Sequence, residues 1–254
     1  MWHILRAALA GTVIAYVGLC AVAFFLQRSF IYFPQPSSGI GSAATMTLAV
    51  PGERVLVSTL PKEGSSAMLY FGGNAEDVSL NIPSFSTAFP DRAVYLMHYR
   101  GYGGSSGKPS ETALFADALA LYDEVRAKRP DIQVVGRSLG SGVAIYVASR
   151  RPVTKLVLVA PFDSIVGIAA SQFPYLPIRW LLRDRFESGT YARSVDAPTL
   201  ILAAERDEII PRASTDLLRS RFRPGLASLV VLPGTGHNTI SNSPEYLRLL
   251  SGSA

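Results

Sequence analysis

The chain has 254 residues, 48% of them hydrophobic and 17% charged, with 24 Lys and Arg against 19 Asp and Glu for a formal net charge of +5. The basic residues are scattered and not clustered among aromatics, which argues against a nucleic-acid partner, and a basic surface near an anionic membrane is the better use of the charge. Cys20 is the single cysteine, so an intramolecular disulfide framework and a cysteine-rich metal site are both excluded.

Residues 7–26 form an uninterrupted uncharged run between Arg6 and Arg28. At about 1.5 Å per residue it is long enough to cross a hydrocarbon core of about 30 Å as a helix. Trp2, Phe30, Tyr32 and Phe33 stand at its ends, where interfacial anchors stand. The sequence therefore predicts a membrane anchor over residues 1–29, with membrane lipid as its partner. A cleaved signal peptide is the competing reading, opposed by the length of the run and by the lack of a clear small-x-small site after it. Arg6 and the α-amine against Arg28 lean the N-terminus toward the cytoplasm, and the side of the membrane that the rest of the chain faces stays open.

Residues 30–254 are then a single domain, large enough for one well-buried α/β core. Residues 34–39, Pro-Gln-Pro-Ser-Ser-Gly, read as an extended linker. Apolar strand candidates follow at 55–60, 67–71, 93–99, 132–135, 155–159, 199–203 and 229–232. Between them lie helical patterns such as 111–128, where Leu114, Phe115, Ala118, Leu121, Tyr122 and Val125 recur at a helical period. Near-continuous apolar strands separated by helices indicate a parallel sheet covered on both faces. Residues 167–195 interrupt this rhythm and are predicted to be an inserted cap. Its Phe173, Tyr175, Leu176, Trp180, Leu181 and Leu182 would either face an apolar ligand in a pocket or pack helices together.

Gly136-Arg137-Ser138-Leu139-Gly140 follows an apolar β-branched run and precedes a small, apolar, helix-like one. That context is a nucleophile elbow, in which Ser138 is held exposed on a sharp turn between strand and helix. A serine hydroxyl needs a general base, and the base needs a group that fixes its tautomer. Of the three histidines, His3 precedes the apolar run and His98 ends an apolar strand, as a structural histidine does. His237 falls in a loop after the last strand and is the expected base. Asp207, after the strand at 199–203, is the expected acid, with Glu205, Glu208 and Asp163 as alternatives. Backbone N–H groups of Leu139 and of Asn74, in Phe71-Gly72-Gly73-Asn74, are the candidate oxyanion donors. The glycine-rich stretch from Arg100 to Lys108 lacks phosphate-loop spacing and is expected to shape the pocket floor. No metal cluster or cofactor motif is visible, so neither is expected.

Phe71-Gly72-Gly73-Asn74-Ala75-Glu76, Tyr99-Arg100-Gly101-Tyr102-Gly103 through Gly107, the Ser138 elbow, Asp207 and His237 together resemble the α/β-hydrolase superfamily. They resemble in particular its membrane-anchored BEM46/ABHD13/ABHD17-like branch, from about Phe30 to the C-terminus. Where many relatives carry His-Gly before the oxyanion residue, this chain has Gly72-Gly73. The resemblance implies an α/β-hydrolase fold: a mostly parallel eight-stranded sheet with helices on both faces and a small cap, preceded by one transmembrane helix. It also implies a Ser138–His237–Asp207 triad acting on a small-molecule or lipidic acyl ester or thioester. A peptidase of the same fold and a non-catalytic membrane scaffold are the rival expectations.

Overall fold

The computed structural model describes residues 1–38 and 44–252, so Gly39 of the expected linker lies outside the described residues. Helix α1 (Trp2–Ile31) is 30 residues long. At about 1.5 Å per residue it extends about 45 Å. Its apolar stretch is not buried in the rest of the chain, and it is long and apolar enough to cross a membrane.

Eight strands form one sheet in the order β1-β2-β4-β3-β5-β6-β7-β8. They are β1 (Ala44–Val50), β2 (Glu53–Leu60), β3 (Ser66–Phe71), β4 (Ala93–Met97), β5 (Asp131–Arg137), β6 (Lys155–Val159), β7 (Thr199–Arg206) and β8 (Ala227–Gly236). β2 runs antiparallel to β1 and β4, and every later pairing is parallel. The expected mostly parallel eight-stranded sheet is present. β1 is absent from the seven stretches read as strands. It is an edge strand in which Leu48 and Val50 alone are fully buried, joined to β2 by a two-residue Pro51-Gly52 turn with Gly52 at φ +74°.

Strand alternation sorts the core into two layers. Ala67, Leu69 and Phe71 of β3 face α3 (Glu111–Arg126) and α4 (Leu139–Arg150), whereas Met68 and Tyr70 face α2 (Ile82–Ala88) and α9 (Tyr246–Ser251). The expected helix at 111–128 ends at Arg126. It starts where the Ser110 hydroxyl accepts the N–H of Ala113, an N-cap.

The stretch predicted as a cap divides in two. α5 (Ile165–Gln172) and α6 (Ile178–Leu181) protrude after β6, and α6 packs on α1. α7 (Ser188–Ala192) instead packs on α4 and on α8 (Arg212–Arg221) and belongs to the helical layer, with Ser188, Gly189 and Ala192 buried. Glu111 closes the protrusion: its carboxylate accepts the N–H groups of Arg185 (2.6 Å) and Phe186 (3.0 Å). Tyr32 does not stand free as an interfacial anchor. It is buried, and its hydroxyl donates to Asp184 at 3.1 Å.

Candidate active site

Ser138 sits between β5 and α4 with φ +50° and ψ −119°, in the left-handed region that a non-glycine residue occupies only under strain of about 1–3 kcal/mol. The neighbourhood over-determines that turn. The Ser138 N–H donates to the Val159 carbonyl at 2.8 Å, and the Ser138 carbonyl accepts both the N–H (2.9 Å) and the hydroxyl (2.6 Å) of Ser141. Both flanking glycines are dictated by close approach. A Cβ on Gly136 would lie 2.6 Å from Cβ of Ala144 and overlap the Gly140 carbonyl. One on Gly140 would lie 2.6 Å from the Gly72 carbonyl oxygen and overlap that of Phe71. Helix α4 can therefore start directly behind the serine only because neither position carries a side chain.

His237 follows β8 immediately, because the strand runs on through Gly236 and the segment expected as loop is mostly strand. Its Nε2 lies 3.0 Å from Ser138 Oγ. Its Nδ1 lies 2.9 and 3.0 Å from the two carboxylate oxygens of Asp207, the residue directly after β7. β7 and β8 are parallel neighbours, which brings their C-terminal ends together although Asp207 and His237 are far apart in sequence. Burial opposes ionisation of Asp207. The hydrogen bond from His237 and the N–H groups of Ile210 and Ile209 outweigh it and hold the carboxyl below its ordinary range.

The other acids weighed are engaged elsewhere. Glu208 accepts the backbone N–H of His237 at 3.1 Å, Glu205 accepts that of Gly234, and Asp163 pairs with Arg221 at 3.5 Å. His98 is buried, with Nε2 2.9 Å from the Ser58 hydroxyl and a Gly103 that leaves no room for a Cβ against its ring. Burial lowers its pKa. The glycine-rich loop after β4 spends its polar groups on neighbours: Arg100 on Asp117, Gly103 N–H on Gln35, and the Ser105 and Ser106 hydroxyls on the N–H groups of Leu56 and Arg54.

The loop after β3 passes beside the serine, and a Cβ on Gly73 would lie 3.7 Å from Cβ of Ser138. Among the described residues no acceptor stands opposite the N–H of Asn74 or of Leu139. The loop is clamped from behind. The Asn74 carbonyl accepts the Phe33 N–H (3.0 Å) and the Tyr102 hydroxyl (2.6 Å), and the Gly72 carbonyl accepts the Tyr99 hydroxyl (2.8 Å). Glu76 is the part that reading the sequence for chemistry passed over. Its carboxylate accepts from Gly73 N–H (2.7 Å), Tyr70 hydroxyl (2.7 Å), Asn81 and Arg137 (3.1 Å), tying the loop to the elbow residue next to Ser138. The signal available was only an acid closely following a Gly-Gly pair. Among the described residues no group of His, Cys, Asp and Glu could hold a metal.

A profile of the Alpha/beta hydrolase family matches residues 64–193. The chain belongs to that family. The match ends before β7, so Asp207 and His237 lie beyond it. This hydrolase-family chain is 36% identical over 259 residues to an uncharacterized protein of Mycobacterium tuberculosis, covering 92% of this chain and 89% of that one. It is 27% identical over 200 residues to the protein bem46 of Schizosaccharomyces pombe, covering 74% and 67%. Among solved structures, Est1E of Butyrivibrio proteoclasticus with ferulic acid bound superposes with a TM-score of 0.66 at 16% identity, covering 82% of this chain and 95% of that one. That likeness is one of fold.

Proposed function

We propose that this chain is a membrane-anchored serine hydrolase that cleaves an acyl ester or thioester through an acyl-enzyme intermediate. The observation that carries the reading is the Ser138–His237–Asp207 relay, with Nε2 3.0 Å from the hydroxyl and Nδ1 2.9 Å from the carboxylate. With Nδ1–H donating to Asp207, the lone pair of Nε2 faces Ser138 and takes its proton as Oγ attacks the carbonyl carbon. The tetrahedral oxyanion is received by the N–H groups of Leu139 and Asn74, each worth on the order of 3 kcal/mol of barrier. Imidazolium then protonates the leaving group, and water, deprotonated by the same nitrogen, releases the acyl group. Asp207 stays ionised throughout and holds the ring. The α1 helix anchors the domain to the bilayer.

A fluorophosphonate probe tests the reading in detergent micelles. Wild type should label, and Ser138→Ala should lose labelling and, on the scale of nucleophile removal in other triads, on the order of 10⁶-fold in turnover. Its melting curve should stay close to wild type. A folded wild type that never labels would put the non-catalytic scaffold in place of the enzyme. Comparing hydrolysis of p-nitrophenyl esters of increasing chain length with that of peptide p-nitroanilides then separates an acyl hydrolase from a peptidase.

A further inference from the structure

We propose that the tip of the cap, carrying Phe173, Tyr175 and Trp180, is sunk in the same bilayer that α1 crosses. The inference rests on the reading of α1 as a membrane anchor. These side chains are 53%, 88% and 89% exposed. From Ile165 to Leu182 the chain carries no acid and a single base, Arg179. A bare aromatic tip of this kind marks an interaction surface.

What covers it follows from where it is fastened. The Tyr16 hydroxyl donates to the Tyr175 carbonyl at 2.8 Å. Farther along the helix Arg183 lies over the Phe24 ring, Gln27 donates to the Leu181 carbonyl and accepts the Arg183 N–H, and Arg28 pairs with Asp184 at 2.8 Å. The cap thus runs beside α1 from Arg28 to Tyr16, about 18 Å at about 1.5 Å per residue. Tyr16 lies inside the uncharged run of residues 7–26. Placing that run in hydrocarbon while leaving Tyr175 in water is geometrically inconsistent as long as these contacts hold.

The chemistry is sorted to match. Asp184 and Arg28 meet at the base of the cap, level with the end of the apolar run, and Tyr175 meets Tyr16 farther along it. Backbone groups in lipid must be satisfied internally. Pro174 and Pro177 have no N–H to leave bare. The N–H groups of Phe173, Leu176, Ile178, Trp180, Leu181 and Leu182 find carbonyls in the segment or on Ala169, and among the described residues those of Tyr175 and Arg179 have no such acceptor. The phenol of Tyr16 and the carbonyl of Tyr175 satisfy each other.

The chain contains two tryptophans, Trp2 and Trp180. Trp2→Phe therefore leaves Trp180 as the only indole in the full-length protein, reconstituted in phosphatidylcholine–phosphatidylglycerol vesicles. Expected are a blue-shifted Trp180 emission, loss of most of its intensity on adding brominated phosphatidylcholine to the bilayer, and protection from iodide present on both sides. Trp180 quenched by iodide as freely as tryptophan in solution, in a chain that resists alkaline carbonate extraction, overturns the inference and leaves the anchor standing. Shielding from both quenchers means a protein surface, such as a second copy, covers the tip, and also overturns it. Release of the chain by carbonate overturns the anchor reading and the inference together.

Discussion

Gly140 shows how narrowly the elbow is dictated at the level of single atoms. Its missing side chain is where the carbonyl groups of Phe71 and Gly72 come closest to α4. Backbone atoms cannot swing aside as a flexible side chain can, so Gly140→Ala should cost about 4 kcal/mol or more. For a domain of this size that is roughly 8–16 °C of melting temperature by circular dichroism; a variant melting with wild type would mean that the two backbones part freely. Asp207 makes a second residue-scale prediction. A carboxyl held below its ordinary range adds stability above about pH 4, and that stability is lost as pH falls through the folded-state value. Asp207→Asn lacks the titration. Wild type should melt above the variant at pH 6, and the gap should shrink on acidification below about pH 4. A gap that ignores pH would show that the carboxylate is not what stabilises the site. In turnover, the amide should cost on the order of 10⁴-fold, because it favours the wrong imidazole tautomer.

Among the elements, the loop after β3 depends on support from outside itself. Glu76 holds Gly73, Tyr70, Asn81 and Arg137 at once, and Arg137 precedes Ser138 in the chain. Burial works against the Arg137 charge, and the Glu76 carboxylate outweighs it, raising the guanidinium pKa. Glu76→Gln keeps the shape but weakens the charge-assisted bonds to Gly73 and Arg137. Small displacements of an oxyanion donor are costly, so kcat should fall on the order of 10- to 100-fold with KM little changed. A rise in KM at constant kcat would place Glu76 in ground-state binding instead. The sheet supports the serine, histidine and acid by a different route. β5, β7 and β8 end at one edge, so residues placed just after each strand converge without a dedicated scaffold.

At the scale of the whole molecule, α1 is joined to the globular part through the base of the cap. Asp184 is buried and receives two hydrogen bonds from Arg28, 2.8 and 3.2 Å, besides the Tyr32 hydroxyl. Arg28→Ala strands that carboxylate with a single neutral donor, for a loss of about 1–3 kcal/mol. The double variant with Asp184→Asn should recover part of the loss, since the amide no longer needs a counter-ion. A thermal-melting double-mutant cycle in detergent measures the coupling; additive effects would mean that helix and cap are merely adjacent.

Much of this was legible along the chain. The elbow is local, so five consecutive residues and their flanks displayed it. Apolar runs separated by helical periods displayed the parallel sheet and the two-sided core, and chain order singled out His237 and Asp207 as the residues to bring against Ser138. β1 was legible too, through the alternation of Met46, Leu48 and Val50 before Pro51-Gly52, but a half-exposed edge strand has too little apolar content to stand out. Other features were decided by tertiary structure alone. Periodicity states that one face of a segment is covered without stating by what. Phe173, Tyr175 and Trp180 therefore read equally as pocket lining or helix packing until the fold turned them outward. Tyr32 with Asp184, Gln27 with Leu181 and Phe33 with Asn74 pair across long stretches of chain. A hydrogen bond needs proximity in space and leaves no spacing in the sequence, so these contacts exist as information only once the chain has folded.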